Sequence, residues 1–153
     1  MRISAKTDYA IRAAAELAAA PEHAWVKTES VANAQDIPLP FLLNILSELR
    51  TAGVVRSRRG VDGGYQLARP AGLISVADII RAIDGPLASI AGTRPEDVAY
   101  SGSAAALRDT WVALRATMRS VLESVTLAHL AQGKLPREVT AVLKAEDAWR
   151  SRV

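Results

Sequence analysis

The chain has 153 residues, half of them hydrophobic and 23% charged, with a formal net charge of +3 and no cysteine. That length fills one core with an appended element but crowds a second full domain, and the composition is too apolar for general disorder. The missing cysteines exclude disulfides, thiolate zinc sites and cysteine-ligated iron-sulfur clusters; Arg12 and Glu16 interrupt the Ala-rich stretch 10–20, which excludes a secretory or membrane segment there and leads us to expect a cytoplasmic protein.

The first element is a helix capped by Ser4 and running to about Ala20, with Tyr9, Ala13, Leu17 and Ala20 on one face and Pro21 as its stop. Thr28 is placed to cap a short second helix whose apolar face is Val31 and Ala32, and Asp36-Ile37-Pro38 reads as a tight turn. A third helix begins near Pro40 and ends at Gly53 as its C-cap, burying Phe41, Leu42, Ile45, Leu46 and Leu49. Two helices joined by a short turn, the second with a full apolar stripe, form a helix-turn-helix pattern that many helical hairpins share.

The segment that follows is more specific. Val54 to Ser57 and Tyr65 to Ala68 have short-strand character, and Arg58-Arg59-Gly60-Val61-Asp62-Gly63-Gly64 lies between them. Its glycines permit positive backbone φ while the arginines stand at the tip, which is the pattern of a wing. Residues 53–72 carry Arg56, Arg58, Arg59 and Arg69 against Asp62 alone, so this stretch holds a charge equal to that of the whole chain. Charge by itself fits a local polyanion contact and a solvated loop equally well. Ser75 and Asp78 form a capping box for a helix to Asp84 that buries Val76, Ile79, Ile80 and Ile83 and closes the domain.

Asp84-Gly85-Pro86 ends that helix, and residues 87–102 read as a mostly irregular connector that either holds a ligand or spans a gap. From Ser103 a long helix carries Leu107, Trp111, Leu114, Met118, Val121 and Val125 at heptad spacing. Such a stripe either packs on its own domain or docks across a homodimer, and we favour the dimer. Thr126 caps a final short helix that ends at Gly133, and the tail from Lys134 to Val153, with weak periodicity at Val139, Val142 and Leu143, is expected to fray. The expected architecture is mainly α with a small β wing. It comprises a winged helix-turn-helix DNA-binding domain (1–86), a connector (87–102), a long dimerisation helix with a short terminal helix (103–132) and a C-terminal tail (133–153).

These residues resemble the winged-helix transcription regulators of the IscR/NsrR/CymR family over about residues 1–131. The likeness rests most on the run from Met1 to Lys6, on Phe41 to Leu46 with Leu49-Arg50, and on Arg59-Gly60 followed by the run from Gly63 to Pro70. Asp78-Ile79-Ile80, the run from Ala82 to Pro86, Trp111 and Thr126-Leu127-Ala128 follow in order. The resemblance implies a homodimer on a partly palindromic operator in double-stranded DNA, with the third helix in the major groove. It places the wing in or near the minor groove, where Arg59 matches the arginine that enters it and Arg58 stands beside it, above the turn glycines Gly60, Gly63 and Gly64.

On the third helix Pro40, Leu43, Asn44 and Ser47 face outward once the apolar stripe is buried. Asn44 suits an adenine edge and Leu43 a thymine methyl. Many relatives carry a polar or acidic residue where this chain has Leu43, so their operator sequence does not transfer. Lys6, Lys27 and Thr28 fit phosphate contacts as well as they fit solvated side chains.

The sensing members of that family hold their cluster with three cysteines between the fourth helix and the long helix, where this chain has none. Asp8 stands where some relatives supply an acidic ligand and Arg108 near where others supply histidine. Without thiolates Asp8 reads as an ordinary acid near a helix N-terminus. His23 and His129 show no spacing that brings them to one metal, and no nucleophile-base set or phosphate loop marks an enzyme. We therefore expect a regulator without a cofactor, responsive to a small molecule, to a partner protein or to its own concentration, with sulfur or cysteine metabolism as the candidate regulon. Tyr100 and Trp111 fit either a small pocket or the core of a dimer. The alternative is a winged-helix protein-interaction module that has lost DNA binding.

Overall fold

The computed structural model describes residues 2–151; Met1 of the family-like N-terminal run and Arg152 and Val153 of the expected tail lie outside the described residues. Helix α1 spans Ala5–Ala19, and Ser4 caps it by accepting a hydrogen bond from the Thr7 amide at 3.1 Å. Its buried residues are Thr7, Ala10, Ala13, Ala14 and Leu17; small side chains let neighbouring helices approach closely, and α1 becomes the central strut of the domain.

Helix α2 (Thr28–Gln35) packs on α1 through Val31 and Ala32. Thr28 does not cap it. Lys27 holds the cap position without a side-chain bond, and Thr28 is already the first helical residue, so the chain turns helical one residue earlier than a Thr28 cap requires. Asp36 takes the left-handed conformation of the turn at φ 50°.

Helix α3 (Leu39–Thr51) buries Leu42, Ile45, Leu46 and Leu49 at 0–1% exposure. Phe41 was expected on this face but is 61% exposed. It lies roughly 100° around the helix from Leu42, in a first turn that the core does not reach. Ala52, rather than Gly53, is the C-cap, with Gly53 following it at φ +74°.

Strands β1 (Val55–Arg58) and β2 (Gly64–Leu67) pair antiparallel, with Val55 opposite Leu67 and Arg58 opposite Gly64. Each is shifted from the sequence expectation by one residue. Val26 adds a third, single-bridge strand through paired bonds with Tyr65 of 2.9 and 2.8 Å.

Helix α4 (Val76–Asp84) carries the expected Ser75/Asp78 capping box and buries Ala77, Ile79 and Ile80, with Val76 and Ile83 only half-buried. The Thr7 hydroxyl, fully buried, donates to Asp84 Oδ2 at 2.5 Å and so ties the start of α1 to the end of α4. The connector is irregular apart from a 3-10 turn at Pro95–Asp97, held to the next helix by Arg115 and Glu96 at 2.5 Å. Its own backbone hydrogen bond, then Arg115, lowers the Glu96 carboxyl below its ordinary value.

Helix α5 (Leu107–Leu122) starts later than the expected Ser103, which sits in a 3-10 turn at Gly102–Ala104 with no capping side chain. No residue of α5 is buried by its own chain. Val125, the last position of the heptad, lies beyond the helix end and is buried at 6% exposure, its carbonyl accepting from the Val76 amide.

Helix α6 (Leu127–Gln132) has a capping box between Thr126 and His129, ends at Gly133, and packs against α1 through Leu127. Within the expected tail the described residues carry further helix. They form α7 (Arg137–Leu143), and the Trp149 indole donates to the Leu143 carbonyl at 2.8 Å.

Candidate nucleic-acid interface

The outward side of α3 and the hairpin of β1 and β2 bring together most of the residues singled out in the sequence. Pro40 and Asn44 are exposed, Leu43 is 48% exposed and Ser47 half-buried, all on the side of α3 opposite its buried stripe. Asn44 is oriented: its Nδ2 donates to Glu48 Oε1 at 3.3 Å, and the same oxygen pairs with Lys6 at 2.7 Å. Lys6 therefore reaches the third helix from α1 through Glu48, a link that the helical periodicity of α3 alone did not reveal.

The loop between the strands is built on its glycines for different reasons. Gly60 takes φ +101°, open to glycine at little cost. Gly63 serves by its lack of a side chain, since a Cβ there would stand 2.1 Å from the Arg58 carbonyl oxygen. Gly64 does both, at φ +150° with a Cβ position 2.3 Å from the Val26 carbonyl oxygen, so it lets the third strand lie against the hairpin.

Arg58 folds back over the Trp25 ring at 4.8 Å and donates to the Asp62 carbonyl at 2.5 Å. Lys27 also reaches the loop, donating to the carbonyls of Gly60 and Val61. Arg59 is exposed and makes no hydrogen bond or ion pair among the described residues, which leaves its guanidinium available at the loop tip. Beside it Val61 is 90% exposed. A shallow cleft of about 320 Å³ joins the start of α2 to the hairpin and is lined by Lys27, Thr28, Arg50, Arg58 and Arg59.

Several heptad residues of α5 lie on a second face. Trp111, Leu114 and Met118 of α5, with Ile80, Leu87 and Ile90, line an open apolar groove of about 810 Å³. Trp111 Nε1 donates to the Tyr100 hydroxyl at 3.2 Å, so the two aromatics are joined at this groove. Leu107 and Val121 continue the stripe, half-buried. Asp8 pairs with Arg12 at 3.1 Å, Arg108 with Asp109 at 3.0 Å, and His23 is exposed beside Glu22. His129 serves its own helix as a capping residue.

A helix-turn-helix followed by a hairpin with a basic tip defines the class of winged-helix DNA-binding regulators. A family model described as Rrf2, an iron-dependent transcriptional regulator, matches residues 3–133. A candidate HTH-type transcriptional regulator of Mycobacterium tuberculosis strain H37Rv is 55% identical over 153 aligned positions, covering 98% of this chain and 95% of the relative. Among solved structures, that of CymR, the global cysteine regulator of B. subtilis, is 31% identical with a TM-score of 0.74, over 88% of this chain and 98% of that one. The IscR of T. potens is 29% identical with a TM-score of 0.69, over 100% and 94%.

The chain belongs to the Rrf2 family of transcriptional regulators. Its family and relatives are regulators of transcription, not enzymes. The iron in the family's description does not fit the donors present: the sequence has no thiolate, and among the described residues no three His, Asp or Glu side chains gather as a metal would require. Among the same residues no helix is long and apolar enough to cross a membrane.

Proposed function

We propose that this chain is a sequence-specific DNA-binding repressor that acts in the cytoplasm as a homodimer on a partly palindromic operator, without an iron-sulfur cluster. The observation that carries the reading is the unpaired Arg59 at the tip of a braced wing, beside the outward face of α3. A guanidinium held there suits the negative potential of a narrow A·T-rich minor groove. Pro40, Leu43, Asn44 and Ser47 meet base edges in the major groove, Asn44 at an adenine and Leu43 at a thymine methyl. Thr28, Lys6 and Lys27 lie at the margins of that surface, where phosphates run.

The unburied stripe of α5 supports dimerisation, because apolar side chains at heptad spacing are stable in water only when covered. Two protomers then present two wings to two half-sites. The likeness to CymR, a cysteine regulator, supports a regulon in sulfur or cysteine metabolism and a signal from a metabolite or a partner protein.

The test is binding of the wild-type and Arg59→Ala proteins to a duplex recovered by selection from the source genome, at one stated salt concentration. The reading predicts a loss of about 1–3 kcal/mol in the variant. Equal affinity of the two proteins contradicts it and favours an interaction module.

A further inference from the structure

Sequence periodicity places Trp25 in no element, yet it sits at the centre of the wing's bracing. Val26 is bridged to Tyr65, so strand alternation puts Trp25 and Lys27 on one face of the small sheet, together with Gln66, Gly64, Arg56 and Arg58. On that face Trp25 and Lys27 stand beside β2, with Arg56 and Arg58 on the strand beyond. Gly64 has no side chain to stand between Arg58 and the indole, which lies diagonally across β2 from it.

The geometry follows that register. The Arg58 guanidinium carbon lies 4.8 Å and that of Arg56 5.6 Å from the Trp25 ring, both within cation-π range. Arg56 also donates to Gln66 Oε1 at 2.6 Å, and Gln66, only 8% exposed, donates in turn to the carbonyls of His23 and Ala24 at 3.2 Å. Arg58 closes the far end of the loop on the Asp62 carbonyl. Residues 23–27 and the hairpin are thus joined at the Trp25 ring and through Gln66.

We propose that Trp25 is a positioning residue for the wing: by holding Arg56 and Arg58 on its ring, it fixes the loop from Arg58 to Gly64 in the form that presents Arg59. The proposal rests on the DNA-binding reading above. Two neighbouring guanidiniums repel one another and would swing to solvent or to separate phosphates if nothing held them. The ring supplies an attraction for each and confines both. Arg58 is then spent on shaping the loop, which distinguishes it from Arg59 at the tip. Ordering the loop before DNA arrives removes an entropy cost that a loose hairpin would meet on binding.

The test uses the full chain and two readouts, hydrogen exchange at the amides of residues 59–63 in the free protein and affinity for a genome-selected duplex. Trp25→Leu keeps apolar bulk without a ring face, Trp25→Phe keeps a ring, and Arg58→Ala completes a double-mutant cycle. The expected result for Trp25→Leu is faster exchange in the loop and affinity lower by roughly three- to thirty-fold. Trp25→Phe recovers most of both, and Trp25→Leu adds little once Arg58 is alanine. Unchanged exchange in Trp25→Leu, or penalties of Trp25→Leu and Arg58→Ala that add in full, overturns the proposal. If the wild-type protein selects no duplex, the DNA-binding reading fails, and the exchange readout alone still decides whether Trp25 orders the wing.

Discussion

The wing backbone leaves no room for a side chain at Gly63. A Cβ there would stand 2.1 Å from the Arg58 carbonyl oxygen, a contact that only a shift of the backbone relieves. Gly63→Ala is expected to open the loop and weaken DNA binding while leaving the helical core intact. Circular dichroism beside a binding isotherm checks both halves of that statement. The sequence pointed to Gly63 for conformational freedom; space is the reason at this position, and spacing alone does not carry that distinction. Phe41 illustrates the same limit, since an apolar residue next to a buried stripe looks buried until the neighbouring elements are in place. Trp25 was not singled out in the sequence, because its partners Arg56 and Arg58 lie some thirty residues away and meet it through strand register. The wing arginines, the turn glycines and the outward residues of α3 were legible because each follows from local chemistry: periodicity for the helix, glycine runs for the turn.

At the scale of elements, caps and stripes determine boundaries and partners. Ser75 and Asp78 close both halves of a capping box on α4, and Ser75→Ala is expected to cost about 0.5–2 kcal/mol of stability, read as a lower midpoint in denaturant unfolding. Leu46 sits at 0% exposure on the inward face of α3. Leu46→Ala is expected to cost about 2–5 kcal/mol, because the cavity opens between the third helix and the strut it leans on. The α5 stripe behaves differently, since none of the residues of that helix is fully buried by its own chain. Trp111→Glu or Met118→Glu is expected to give monomers with weakened DNA binding and a near-native circular dichroism spectrum. Sedimentation that finds an intact dimer in both variants removes the dimer seam from α5. The late start of α5 and the ordered α7 were not legible: the first lacks a capping side chain to mark it, and the second has too few apolar positions to stand above background periodicity.

In the whole molecule the strut α1 joins the apolar groove to the outward face of α3. Its start is tied through Thr7 to Asp84 at the end of α4, beside the apolar groove, while Lys6 reaches Glu48 beside Asn44 on α3. The groove is thereby linked to α3 by a hydrogen bond at Thr7 and an ion pair at Lys6, two residues adjacent in sequence. Without cysteine the chain has no thiolate to hold an iron-sulfur cluster. Sequence-specific binding by a dimer is tested by selection of genomic fragments by the purified protein, followed by footprinting at a stated salt concentration. A protected, partly palindromic site is expected, with two half-sites about one helical turn or a multiple of it apart. Retention that depends only on salt, with no protected sequence, would contradict it.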